Sequence, residues 1–105
     1  MAKKTNEYIG QATDEQLSQW RAKYGEIYAI KVDGHICYLR KPDRKILSYA
    51  STVGTKDPIK FNELLLQNCW LGGSEEIKTN DELFLGASAK LSELIQVKEA
   101  ELVKL

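Results

Sequence analysis

The sequence predicts an α+β fold: an N-terminal helix, a two-stranded antiparallel hairpin at about residues 26–41, then three helices, the last one long. Three observations carry this. Asp33-Gly34 interrupts two runs that alternate like strands. Apolar residues recur at helical spacing on either side of those runs. Helix-start signals stand at Thr13, Pro42, Asp57 and Thr79.

The first dozen residues are polar and read as a flexible N-terminus, leaving 13–105 as a single α+β domain. Thr13-Asp14-Glu15-Gln16 fits a capping box, in which the first and last residues satisfy each other's free amides. Leu17, Trp20 and Tyr24 then share one helical face, and Gly25 is the natural stop.

Asp-Gly favours the two-residue type I′ turn, and a loop of that length fixes the register of the hairpin. Val32 then faces His35, Ile30 faces Cys37 and Tyr28 faces Leu39 on a side that reads as core. Ile27, Ala29, Ile36 and Tyr38 fall on the opposite side together with Lys31 and Arg40. That half-apolar side reads as exposed, and either strand edge as open to another strand.

Pro42 is placed to open the second helix, whose stripe is Ile46, Ala50 and Val53 up to Gly54. Asp57-Pro58 caps the third, lined by Phe61, Leu64, Leu65 and Cys69, with Trp70-Leu71 at its end and Gly72-Gly73 closing it. Thr79-Asn80-Asp81-Glu82 reads as a second capping box. It begins a final helix with the stripe Phe84, Ala87, Leu91, Leu94, Ile95 and Leu102. From Asn80 to Lys104 that helix would span about 37 Å, long enough to overhang a domain of this size.

Composition narrows the function classes. A chain of 105 residues can bury a core without staples. Fifteen basic against fifteen acidic side chains exclude a polybasic coat. No apolar run is long enough to span a membrane, and the basic start lacks the apolar stretch of a signal peptide. Cys37 and Cys69 form no C-x-x-C and read as reduced. With His35 the only histidine, no four-ligand zinc set is available within one chain, so no metal or cofactor is expected. Catalytic motifs are missing too. His35 beside the turn reads as exposed and idle, and Cys37 as a buried hydrophobe. The chain reads as a non-enzyme.

Charge distribution says more than its total. Residues 1–45 hold nine basic and six acidic side chains; residues 46–105 hold six and nine. Arg40, Lys41, Arg44 and Lys45 crowd the start of the second helix, where the helix dipole disfavours cations and only Asp43 offsets them. A patch that costs stability suggests an anionic partner. One alternative is a small nucleic-acid-binding or regulatory protein, with Tyr38 and Tyr49 near the patch to stack on bases. Zero net charge argues against it. The other is protein, including a second copy, since halves of opposite sign suit head-to-tail association. Trp70 is a favoured interface anchor in that setting, although a tryptophan at a helix end also serves as plain core.

Several stretches together resemble a known family. Trp20-Arg21-Ala22-Lys23-Tyr24-Gly25-Glu26-Ile27-Tyr28 is followed by Tyr38-Leu39-Arg40-Lys41-Pro42-Asp43-Arg44. Next come Asp57-Pro58-Ile59-Lys60-Phe61-Asn62-Glu63-Leu64-Leu65-Leu66 and Asn68-Cys69-Trp70-Leu71-Gly72-Gly73, then an acidic start to a long final helix. This succession, over roughly residues 14–105, resembles the small tail assembly chaperones of tailed bacteriophages and prophages. It is a pattern of spacing and element order. The resemblance implies a non-catalytic role in virion morphogenesis: binding the tape measure protein, keeping it soluble, and leaving as tail tube protein polymerises. It also implies action in the host cytoplasm and absence from the mature virion. The family supplies no site residues to carry over. The residues themselves nominate Ile36 and Tyr38 on the hairpin, Arg40, Lys41 and Arg44 in the basic step, and Trp70 at the helix end. Self-association is expected from the open edge and the charge split.

Overall fold

The structure, a computed structural model, describes residues 7–95 and 99–105. Its order is α1 (Asp14–Tyr24), β1 (Ile27–Val32), β2 (His35–Arg40), α2 (Arg44–Val53), α3 (Pro58–Cys69), β3 (Trp70–Gly73), α4 (Glu76–Thr79) and α5 (Asp81–Leu91), closed by a 3₁₀ turn at Ser92–Leu94. The fold is α+β, with a three-stranded antiparallel sheet in the order β1-β2-β3.

Local signals set most of the elements. Thr13 and Gln16 close the expected capping box, with the Gln16 amide donating to Thr13 Oγ1 at 3.1 Å and the Thr13 amide to Gln16 Oε1 at 3.0 Å. Leu17, Trp20 and Tyr24 are the half-buried residues of α1, as their spacing requires. The hairpin register is the one an Asp-Gly loop dictates, from Ile27 opposite Arg40 to Val32 opposite His35. Asp33 (φ 45°) and Gly34 (φ 80°) both take the positive φ that a type I′ turn demands. Asp57 caps α3 by accepting the amides of Ile59 and Lys60, both at 3.1 Å, with Pro58 as its first residue.

The core lies on one face of the sheet. Ile30, Cys37 and Leu39 meet Leu65, Leu66 and Cys69 of α3, Ile77 of α4, Leu83, Ala87 and Leu91 of α5, and Leu94. Each fully buried leucine or isoleucine there contributes roughly 1.5–3 kcal/mol by leaving water. Tyr28, Leu39 and the rest of the first hairpin face thus play the part their alternation assigns.

Five expectations are corrected. First, the helix predicted to run into Gly72-Gly73 stops at Cys69, and Trp70–Gly73 is a strand. Gly73 (φ 133°) lies so close to β2 that a Cβ there would stand 2.5 Å from the Cys37 Cα. Leu39 pairs with Trp70 while Tyr38 pairs with Gly72, which leaves Leu71 as the extra residue of a bulge. The two glycines that read as a helix stop are what lets this strand approach.

Second, the last helix is short. It is capped by Asn80, whose side chain accepts the Leu83 amide at 3.0 Å, and ends at Leu91. Residues 99–105 are not helical, Leu102 is fully exposed, and 96–98 lie outside the described residues. The buried run Leu83, Ala87, Leu91 and Leu94, with half-buried Ile95, marks the end of the core, and among the described residues after it Leu102, Val103 and Leu105 are exposed. Third, α2 is capped by Asp43 rather than opened by Pro42, which is buried just before it, and Val53 is half exposed while Leu47 turns inward.

Fourth, the β2 half of the second hairpin face is interior, with Ile36 5% and Tyr38 6% exposed, while Ala29 and Lys31 of β1 remain exposed as expected. Trp20 of α1 lies over Tyr38, and the Ala12 amide donates to the Tyr38 hydroxyl at 3.1 Å. The far edge of β2 is also closed. Its Ile36 amide donates to the Ile9 carbonyl at 3.0 Å, and the Ile36 carbonyl accepts the Ser74 amide at 2.9 Å. Fifth, residues 8–12, read as part of a flexible terminus, hydrogen-bond to the sheet through Ile9 and Ala12.

Candidate protein-interaction surface

The six nominated residues divide sharply. Ile36 and Tyr38 are unavailable to a partner, because α1 and the segment before it cover them. Trp70 is half-buried against the core, with Lys78 Nζ 4.3 Å from its ring centroid, so the packing role prevails over the anchor role. The basic step is at the surface.

Within that step the four cations are not equivalent. Arg40 Nη2 donates to Asp43 Oδ2 at 3.1 Å, its guanidinium stands 5.4 Å from the Tyr24 ring, and its side chain is only about a quarter exposed, at 27%. Lys41 Nζ is 3.9 Å from Glu26 Oε1, which also accepts from the Tyr28 hydroxyl. Arg44 and Lys45 are exposed and have no carboxylate partner among the described residues. The Ile46 amide hydrogen-bonds Asp43 and, with the Arg40 charge beside it, holds that carboxyl below its usual range; slight burial opposes them. Asp43 therefore stays an anion that caps α2 and neutralises Arg40, leaving Arg44 and Lys45 uncompensated at the positive end of a helix dipole.

The second of these cations, Lys45, continues into an apolar stripe. Lys45, Tyr49 and Val53 follow one another at four-residue steps along α2 and are exposed, beside the inward-facing row of Ile46 and Ala50. Tyr49 is 52% and Val53 48% exposed. The spacing was visible in the sequence, but it competes with the stronger inward stripe of the same helix. A second exposed apolar site joins Ile59 at the start of α3 to Phe84 and Leu85 of α5 around a hollow of about 250 Å³ rimmed by Asp81.

The grouping that comes nearest to a catalytic one is His35, Ser74 and Glu76. His35 is not exposed as expected: its side chain is 13% accessible, and Nδ1 lies 2.8 Å from Ser74 Oγ and 3.7 Å from Glu76 Oε1. Hydroxyl and carboxylate thus address the same ring nitrogen. A proton relay needs them on opposite nitrogens, so this arrangement locks the sheet to α4 rather than activating the serine. Cys37 and Cys69 are fully buried, and burial pushes both thiols up to about 11, which keeps them protonated and poor nucleophiles near neutrality. No group of three or more possible metal ligands occurs among the described residues, and none of their helices is long and apolar enough to cross a membrane.

Comparison of the chain with protein-family models, with curated proteins and with solved structures finds no match in any of the three.

Proposed function

We propose that this chain is a non-catalytic tail assembly chaperone of a tailed phage or prophage, and that it binds and solubilises the tape measure protein through the outer face of α2. The observation that carries the reading is the continuity of Lys45, which has no carboxylate partner among the described residues, with half-exposed Tyr49 and Val53 along one helix that exposed Arg44 opens. A holdase needs affinity that is moderate and reversible. A short apolar stripe flanked by cations supplies it: the stripe adheres to the apolar side of a helical client, and the cations select its acidic positions. Nothing in this mechanism makes or breaks a covalent bond.

The sequence stretches resembling the chaperone family support the choice of client, and with it action in the host cytoplasm and absence from the finished virion. As tail tube protein polymerises on the client, many weak contacts are released one at a time, so departure requires no energy source. The nucleic-acid alternative draws on the same corner, where Arg40 and Lys41 already face carboxylates. The discriminating experiment is co-purification of the tape measure protein with the tagged chain, run beside a gel shift in low salt. The proposal requires the protein complex to form, to be lost in Arg44→Glu/Lys45→Glu, and no nucleic-acid shift to appear. A nucleic-acid shift that weakens steeply with salt, without client capture, would establish the alternative.

A further inference from the structure

β1 is an edge strand, with β2 as its only neighbour among the described residues. In the register set by the turn, Val32, Ile30 and Tyr28 turn their backbone groups toward β2. Ile27, Ala29 and Lys31 therefore direct theirs outward, along an edge that no other segment of the described residues pairs. Beside it runs a groove of about 480 Å³, lined by Tyr28, Ile30, Lys31, Lys90, Glu93 and Leu94. Lys31 has no carboxylate partner among the described residues; its Nζ rests 4.9 Å from the Tyr8 ring centroid.

The same chain carries a segment with the opposite deficit. Residues 99–105, Glu-Ala-Glu-Leu-Val-Lys-Leu, are exposed throughout, with Leu102 and Leu105 fully so and Val103 61% exposed. Glu99 and Glu101 have no cationic partner among the described residues. The described chain measures 62 × 30 × 20 Å, and its radius of gyration of 15.8 Å exceeds the roughly 13 Å of a compact domain this long. This segment does not rest on its own β1 edge.

We propose that residues 101–105 of one copy add as a fourth, antiparallel strand to the β1 edge of a second copy. One register satisfies every feature. Glu101 lies opposite Lys31, Val103 opposite Ala29 and Leu105 opposite Ile27, at the positions whose backbone groups face outward. The pleat then sends Leu102 into the groove beside Ile30 and Leu94, and Lys104 toward Glu93. Opposite charges pair at both ends, the apolar side chains leave water, and the edge gains its missing ladder. Because donor segment and acceptor edge are different surfaces, the contact is heterologous and propagates head to tail, building rings or open chains. It is independent of the α2 face and of any client.

Sedimentation of the purified chain over a wide concentration range tests the inference. Wild type should form dimers and larger species. Leu102→Glu, at a position outside the core, should weaken association about ten- to a hundredfold. Lys31→Glu should weaken it as well, and the exchange Lys31→Glu/Glu101→Lys should restore it. Wild type that stays monomeric at the highest concentration overturns the proposal. So does association indifferent to Leu102→Glu, which would place the contact elsewhere, and so does concentration-independent amide protection of 101–105, which would mean docking within one chain.

Discussion

The ring of Trp20 meets that of Tyr38 at a centroid separation of 5.5 Å with the planes tilted by 40°. The same indole reaches over β3, where its Cη2 stands 2.9 Å from the place a Cβ on Gly72 would take. One side chain of α1 thus covers the second face of the sheet and fills the space left by a glycine in its third strand. Trp20→Ala should cost about 2–4 kcal/mol in urea unfolding, with the m-value little changed. A loss within about 0.5 kcal/mol, the range of ordinary surface substitutions, would mean that this face needs no cover.

Gly73 tests the third strand. Alanine there combines a φ of 133° with a Cβ 2.5 Å from the Cys37 Cα and 2.6 Å from the Ile36 carbonyl oxygen, both backbone. Gly25 (φ 82°) has nothing within 4 Å, so Gly25→Ala isolates the conformational cost alone, about 1–3 kcal/mol. Gly73→Ala should cost at least about 2 kcal/mol more than that and speed exchange of the Ser74 amide, which donates to Ile36. Equal costs at the two sites would argue that β3 does not sit against β2.

The thiols give stability a pH dependence. Both begin from a reference value of 9.0 and are raised to about 11 in the folded chain, chiefly by burial. Between those values the unfolded chain has released these protons while the folded chain keeps them, so their linkage lowers stability as pH rises. Cys37→Ala/Cys69→Ala should flatten the fall in unfolding free energy from about pH 9 to 11 relative to wild type. At pH 8 a thiol reagent should modify wild type only at the rate of unfolding. Fast modification of folded protein at that pH would refute the burial.

What the sequence disclosed follows the range of the forces involved. The hairpin register, the Thr13 box and the Asp57-Pro58 start are decided within four residues, and each is where its motif puts it. Strand β3 was illegible because Trp-Leu-Gly-Gly has no strand signal of its own; it is a strand only because β2 offers an edge. The burial of Ile36 and Tyr38 was illegible for a related reason, since it depends on a helix more than a dozen residues upstream folding back over them. The length of the last helix was misread because its stripe continues to Leu102 after the partners have run out. At the surface, position alone nominated Arg40 and Lys41 beside Arg44, while only the folded geometry pairs the first two with Asp43 and Glu26.

The most direct measurement is the soluble yield of tape measure protein co-produced with wild type or with Tyr49→Asp/Val53→Asp, two half-exposed positions of α2. The account predicts a soluble client with wild type and an aggregated one with the variant, whose own unfolding free energy stays within about 1 kcal/mol of wild type. Equal client solubility with both proteins would contradict it.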